Sequence, residues 1–158
     1  MKQFTDVLED LGVECKLIAD SEIFDGFPSR KISHWFQTRK QFNKIVKEFK
    51  PDIVFADRQT HFGLAALKAN LPLYVFLRGD YWSEIKWAKE TRYKFFPKNI
   101  IIQERDRIGK SCFDNSTLIL PICKYLENIV KTHYPNKKSS VMYQGIASSH
   151  WYPAEGMK

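Results

Sequence analysis

The chain has 158 residues, 44% of them hydrophobic and 15% aromatic, which is enough apolar mass for one hydrophobic core. No window holds the roughly 18 consecutive apolar residues of a membrane-spanning helix, and the start lacks the apolar core of a signal peptide. The formal net charge of +7 predicts an anionic partner, which leaves nucleic acid, a lipid headgroup surface and a phosphorylated small molecule as alternatives.

Hydrophobic periodicity and turn residues divide the chain into alternating helices and strands. In chain order, the first predicted elements are a helix over 2–11, a strand over 13–19, a loop over 20–33, a helix over 34–50, a strand over 52–56 and a helix over 61–70. The remaining ones are a strand over 73–77, a helix over 81–98 that leads into a loop at Pro97, a helix over 99–112, a strand over 118–122, a helix over 124–134 and a strand over 141–143.

This alternation predicts an α/β fold, a doubly wound parallel sheet of about five strands flanked by helices, because parallel neighbours need crossover connections. The pattern starts in the helix that should follow a first strand and a glycine-rich turn, so a trimmed start or a variant without that strand is expected. In such a sheet ligands bind at the carboxyl ends of strands. Here those ends are Asp57-Arg58, Arg78-Gly79-Asp80, Cys123 and Gln144-Gly145.

Three segments carry a family resemblance through their order and spacing. An apolar strand that ends in a polar residue and a glycine occupies Pro72 to Asp80. A strand that runs into a helix occupies Leu120 to Val130, and a strand, a glycine turn, an aromatic residue and a proline occupy Ser140 to Pro153. Together they resemble the N-terminal domain of family 4 glycosyltransferases, GT-B enzymes with two Rossmann-like domains facing across a cleft. The chain departs from the family pattern at Arg78, Cys123, Gln144 and Ala147, where histidine, serine, asparagine and aspartate are usual.

The resemblance implies that residues 1–153 form an acceptor-side Rossmann-like domain and that 154–158 begin the linker to a donor-binding domain. The intact enzyme would transfer a sugar from a nucleotide sugar to a glycan or lipid-linked acceptor, retaining its configuration and using no metal. The chain alone would bind no cofactor and be inactive, because the other domain holds the nucleotide sugar. A cytoplasmic location, peripheral on the inner face of the membrane, is expected.

Arg78 is the candidate catalytic residue. It follows a buried strand and precedes Gly79, which lets a ligand approach the backbone. Its guanidinium could clamp a phosphate or stabilise charge on the departing diphosphate, whereas the structural alternative is an ion pair with Asp80 or Glu84. The candidate substrate-binding residues are Asp57, Arg58, His61, Arg78, Gly79, Asp80, Gln144 and Gly145.

Other candidates each have a structural alternative. Asp57 and Arg58 could contact an acceptor hydroxyl or could form a mutual, loop-fixing pair. His61 could be a base, but a histidine at a helix start is more often solvated or capping. Cys123 could be a nucleophile at a helix N-terminus, although no partner histidine supports that role. Three scattered cysteines exclude a disulfide framework and a Cys-x-x-Cys metal site, so we expect reduced thiols.

A stretch of basic and aromatic residues over 81–98 is typical of an anionic membrane surface, with a solvated helix as the alternative. The membrane-contact candidates are Trp82, Lys86, Trp87, Lys89, Arg92 and Lys94. A rival hypothesis is a non-enzymatic binding module of flavodoxin-like or response-regulator-like type, whose early acidic pair or phosphate loop is missing. A basic nucleic-acid-binding domain is the other alternative, but no helix-turn-helix, RNP-like or zinc-finger spacing supports it.

Overall fold

The computed structural model describes residues 2–19 and 37–145, with side chains described from residue 40 onward in the second range. In chain order the elements are helix α1 (Lys2–Asp10), helix α2 (Gln37–Phe49), strand β1 (Val54–Asp57), helix α3 (His61–Lys68), strand β2 (Leu73–Leu77), helix α4 (Tyr81–Glu90), helix α5 (Lys98–Asn115), strand β3 (Leu118–Pro121) and helix α6 (Lys124–His133). The predicted alternation of helices and strands is confirmed from α2 to α6.

The three described strands form one parallel sheet in the order β1-β2-β3. Val54 of β1 lies beside Leu73 of β2, and Tyr74 of β2 lies beside Leu118 of β3. Helix α3 makes the crossover between β1 and β2, while α4 and α5 make the one between β2 and β3, as parallel pairing requires. The α/β class and the parallel sheet are therefore confirmed. Strand order follows the chain, so these three strands contain no reversal of the winding direction that a doubly wound sheet includes.

One face of the sheet is covered by helices. Val75 of β2 and Ile119 of β3 point into this core and are fully buried. From the helices the core receives Phe42, Ala65, Ala66, Tyr81, Ile108, Cys112, Phe113 and Val130. On the other face, Phe4 of α1 contacts the ring of Phe55 at 5.1 Å between centroids. Because β2 is covered on both faces, its sequence is a continuous apolar run.

Two predicted strands are wrong. Residues 13–19 form no strand, since the Val13 amide bonds back to the Leu8 carbonyl and the Leu17 side chain is 48% exposed. Alternation favours a strand only when a neighbouring strand pairs with it, and none does here. Residues 141–143 run beside β3 through a parallel bridge of Ile119 with Ser139, without forming a strand of their own. The described part of the chain therefore has three strands where about five were expected.

The helix predicted over 81–98 is also wrong in its second half, because α4 ends at Glu90. The Thr91 hydroxyl donates to the Trp87 carbonyl at 2.7 Å, and turns follow up to the start of α5. The predicted loop over 20–33, the start of the second helix over 34–36, Ala147 and the boundary at 153 lie outside the described residues. Among the described helices, none combines the length and the apolar character needed to cross a membrane.

Candidate functional site

The carboxyl ends of β1 and β2 are joined by an ion pair. Arg78 Nη2 donates to Asp57 Oδ2 at 2.6 Å, and both side chains are about one-third exposed. The Arg78 guanidinium also lies 5.8 Å from the centroid of the Phe76 ring. The predicted ion-pair alternative for Arg78 is therefore correct in kind but wrong in partner, since Asp57 replaces Asp80 and Glu84. Asp57 is likewise not paired with Arg58.

Arg58 continues from β1 in an unusual backbone conformation. Its φ is 78°, a region that residues other than glycine rarely occupy. The Arg58 amide donates to the Phe76 carbonyl at 3.0 Å, and the Thr60 amide donates to the Arg58 carbonyl at 3.1 Å. These bonds turn the chain sharply before α3, whose first-turn Phe62 amide is capped by the Thr60 hydroxyl. The turn carries Arg58 away from Asp57 and towards α4.

A cavity of about 520 Å³ opens beside this turn, on the helix-covered side of the sheet. Its walls are the β1–α3 turn, helix α4 with the residues that follow it, and the middle of α5. The lining residues are Arg58, Gln59, Thr60, His61, Tyr81, Glu84, Ile85, Trp87, Ala88, Tyr93, Ile102, Arg105 and Ile108. The lining thus combines the buried Tyr81, Ile102 and Ile108 with the exposed Arg58 and Arg105.

The structure separates the predicted substrate-binding residues. Arg58 and His61 line the cavity, whereas Arg78 does not and Asp57 lines a second groove on the far side of β1. Gln144 and Gly145 are exposed, and a Cβ added at Gly145 would meet no heavy atom within 4 Å. Of the predicted substrate-binding residues, Arg58 and His61 therefore line this cavity and the others do not.

Asp80 and Gly79 have structural roles. The Asp80 carboxylate caps α4 by accepting from the Ser83 amide at 3.1 Å and from the Ser83 hydroxyl at 2.5 Å. Burial raises the pKa of Asp80, but these hydrogen bonds outweigh it and hold the pKa below its ordinary value. A Cβ at Gly79 would lie 2.7 Å from Glu84 Oε1, so Gly79 gives that carboxylate its space. Helix capping accounts for Asp80 without a ligand.

Gln59 and Arg105 line the cavity but were not among the predicted site residues. Arg105 lies in α5, and its spacing from Ile102 and Ile108 places it on the same helix face as those cavity residues. Gln59 follows Arg58, and its Oε1 is buried without a hydrogen-bond partner. No pattern in the sequence shows that α5 packs against α4, so the contribution of Arg105 depends on long-range packing.

A polar network centred on the buried Asp106 joins the two helices that wall the cavity. The Tyr81 hydroxyl donates to Asp106 Oδ1 at 3.1 Å, and the Asp106 carboxylate also accepts from Lys89 and Lys110. Burial raises the pKa of Asp106, but the hydrogen bonds from Lys89, Lys110 and Tyr81 outweigh it, so the pKa lies below its ordinary value. Burial followed by the Asp106 charge raises the pKa of Tyr81, which therefore stays neutral. The network fixes α4 on α5, the two helices that wall the cavity.

The membrane-contact candidates are divided between the interior and the surface. The Trp82 ring stacks on His133 at 4.2 Å and on Phe113 at 5.2 Å between centroids, so it is partly buried against the core. Lys89 is held by Asp106. Lys86, Trp87, Arg92 and Lys94 are exposed.

Further exposed aromatic residues of the predicted basic and aromatic stretch follow α4. Residues 91–97, here called the aromatic-basic loop, include Phe95 at 74% and Phe96 at 77% exposure. The same loop carries Arg92 and Lys94, and α5 begins with Lys98; all three are exposed. Trp87, which precedes the loop and lines the cavity, is 62% exposed. An apolar surface ringed by cations therefore lies next to the mouth of the cavity.

The cysteines are free, as expected. Cys112 is fully buried in the core, and burial raises the pKa of its thiol to about 12. Cys123 occupies the N-cap position of α6 without a side-chain capping bond. Within residues 2–19 and 37–145, no group of three or more His, Cys, Asp or Glu side chains is arranged to hold a metal ion.

Comparison of the chain with protein-family models, with curated proteins and with solved structures found no match.

Proposed function

We propose that the chain is the acceptor-side domain of a glycosyltransferase and that the 520 Å³ cavity receives the acceptor. The observation that carries the proposal is the position of this cavity, between the turn after β1 and the helix after β2. Ligands of parallel α/β sheets bind at this edge. The volume lies in the range of about 300 to 1,000 Å³ that is usual for small-molecule sites.

Arg78 has a separate role in the proposal. It lies at the carboxyl edge outside the cavity, where its Nε has no hydrogen-bond partner among the described residues. The 2.6 Å bond to Asp57 uses one of its five N–H donors and orients the guanidinium. The free donors would contact the departing diphosphate of a nucleotide sugar held by a second Rossmann-like domain. Transfer would proceed with retention and without a metal, as in the enzymes that the sequence resembles.

The aromatic-basic loop supports a lipid-linked acceptor. Phe95 and Phe96 are largely exposed, and inserting them between lipids would remove apolar surface from water. Arg92, Lys94 and Lys98 would then meet anionic headgroups, each contributing about 1 kcal/mol. Trp87, which precedes this loop, and Tyr93, which belongs to it, both line the cavity. When the loop docks on a membrane, the mouth of the cavity would therefore face the membrane surface.

The membrane contact is tested by co-sedimentation with phosphatidylcholine vesicles, with and without phosphatidylglycerol. Binding should require the anionic lipid and weaken with salt. Phe95→Ser with Phe96→Ser should reduce binding strongly, whereas the control Tyr125→Ser, at another exposed aromatic of 69% exposure on α6, should not. Equal binding by the loop variant and the wild type would contradict membrane docking.

The glycosyltransferase role is tested on the polypeptide encoded by the full reading frame. Transfer from a panel of nucleotide sugars to lipid extracts should be detected, and the reading frame should continue past Lys158 into a second Rossmann-like domain. The chain alone should show weak or no binding of nucleotide sugars by calorimetry. Tight binding of a nucleotide sugar by this chain would contradict the division of roles. A reading frame that ends at Lys158 would favour the non-enzymatic binding module.

A further inference from the structure

We infer that the cavity binds a phosphorylated sugar or polyol, with Arg58 and Arg105 on the phosphate and Gln59 on a hydroxyl. The inference rests on the proposed function for the ligand's role as acceptor, but binding itself is independent of that role. The ligand could come from two sources, a soluble sugar phosphate or a lipid headgroup of the same chemistry.

The charges of the cavity favour an anion. Two guanidinium groups, from Arg58 and Arg105, line it, and Glu84 is the one carboxylate among the described lining residues. The Glu84 carboxylate lies over Gly79, where a Cβ would be 2.7 Å from its Oε1. A planar guanidinium fork matches the geometry of phosphate as well as of carboxylate, and two forks can share the oxygens of one phosphate group.

Arg58, Arg92 and Arg105 are the described arginines without an ion-pair partner, and of these Arg58 and Arg105 line the cavity. Arg78 pairs with Asp57, and Arg107 pairs with Glu104. Arg58 and Arg105 pair with none of the described carboxylates, so their donors are open to a ligand. Arg58 is also held at its place by a backbone turn with a positive φ of 78°. The turn positions the first guanidinium, and α5 positions the second.

Gln59 points to the neutral part of the ligand. Its Oε1 is buried and lacks a donor, although buried amide oxygens are almost always hydrogen-bonded. The Gln59 side chain lines the cavity, and in the chain Gln59 lies between Arg58 and the start of α3 at His61. A rotation of the Gln59 side chain would present this oxygen to a hydroxyl group of a sugar or polyol, which would supply the missing donor. Tyr93 and Trp87 add flat apolar surface of the kind on which sugar rings stack.

The experiment is calorimetric titration of the chain at low ionic strength with inorganic phosphate, glucose 6-phosphate and glucose. Glucose 6-phosphate should bind more tightly than phosphate, and glucose should bind weakly. Arg105→Ala should weaken glucose 6-phosphate binding by about tenfold, as expected for a lost charged hydrogen bond. The matched control is Arg107→Ala, which removes the same charge from the same helix at a residue paired with Glu104, and it should change binding less than twofold.

Two further variants test the other parts of the site. Arg58→Gly removes the guanidinium positioned by the turn and suits the positive φ, so it should weaken binding without unfolding the chain. Gln59→Leu should leave phosphate binding unchanged and reduce the preference for glucose 6-phosphate over phosphate. No binding of either anion by the wild type, or equal losses in Arg105→Ala and Arg107→Ala, would overturn the inference.

A vesicle arm separates the two sources of the ligand and keeps the inference distinct from the proposed function. If the natural ligand is a lipid headgroup, glucose 6-phosphate should displace the chain from phosphatidylglycerol vesicles, and Arg105→Ala should weaken vesicle binding. If the natural ligand is a soluble sugar phosphate, neither glucose 6-phosphate nor Arg105→Ala should affect binding to the vesicles. Glucose 6-phosphate binding by a chain whose full-length protein transfers no sugar would support this site while contradicting the glycosyltransferase role.

Discussion

Arg78 and Asp57 are 21 residues apart in the chain, yet their side chains meet at 2.6 Å across the ends of β2 and β1. Asp57 lies beside Phe76 in the strand register, and Arg78 follows Phe76 by two residues. The side chains of Asp57 and Arg78 therefore lie on the same face of the sheet. The pair therefore ties together the two strand ends next to which the cavity opens. It occupies Nη2 of Arg78 and leaves the Nε of this residue without a hydrogen-bond partner among the described residues.

Replacing Arg78 with alanine should have a small effect on folding and a large one on transfer. For a pair that is about one-third exposed, we expect a coupling energy with Asp57 of about 0.5 to 1 kcal/mol in a double-mutant cycle. In the full-length enzyme, loss of charge stabilisation should lower turnover by about a hundredfold, and Arg78→Lys should restore only part of it. Normal turnover in Arg78→Ala would contradict the catalytic role.

The two tryptophans of α4 should differ sharply when each is replaced by alanine. Trp82 stacks between His133 and Phe113, so its loss should lower the free energy of unfolding by about 2 to 4 kcal/mol. Trp87 is 62% exposed, so its loss should cost about 0.5 kcal/mol or less while weakening vesicle binding. Urea denaturation of both variants measures the difference, and similar losses of stability in the two would disprove the packing described for Trp82.

Gly109 of α5 provides the space for the Tyr81 ring of α4. A Cβ at this position would lie 2.6 Å from Tyr81 Cζ, and the ring is buried and cannot move aside freely. Gly109→Ala should therefore lower stability by about 1 to 3 kcal/mol, despite the higher helix propensity of alanine. The control is Gly145→Ala, where nothing lies within 4 Å and thermal unfolding should be unchanged. A stabilised Gly109→Ala protein would show that the two helices are not in such close contact.

Acid should destabilise the chain partly through Asp106. Because its pKa is lower in the folded protein than the unfolded value of about 3.9, its interactions stabilise the fold fully above that pH. This contribution is lost as the pH falls through the folded pKa. In Asp106→Asn, stability at pH 7 should drop, and the further loss on acidification should become smaller.

The measurement is urea denaturation of both proteins at neutral and acidic pH. Asp52→Asn, at an exposed carboxyl before β1, serves as the control and should keep the acid sensitivity of the wild type. An unchanged acid dependence in Asp106→Asn would show that other carboxyls cause the acid destabilisation.

Sequence periodicity by itself determined most of the helices, the buried strand β2 and the residues at the strand ends. These features depend on spacing within one segment, such as the apolar run of Leu73–Leu77 that requires cover on both faces. The capping of α4 by Asp80 was also encoded locally, although its side chain was assigned to a ligand instead. Local patterns predict where an element begins, but they do not reveal which neighbour it meets.

The tertiary structure alone decided which side chains share a site. The partner of Arg78, the burial of Trp82 and the place of Arg105 in the cavity depend on elements that pack across long stretches of chain. The failed strand over 13–19 has the same cause, because an alternating pattern becomes a strand only where another edge supplies hydrogen bonds. Pairing and packing are set by the free energy of the whole fold, and a single segment contains too little of that information.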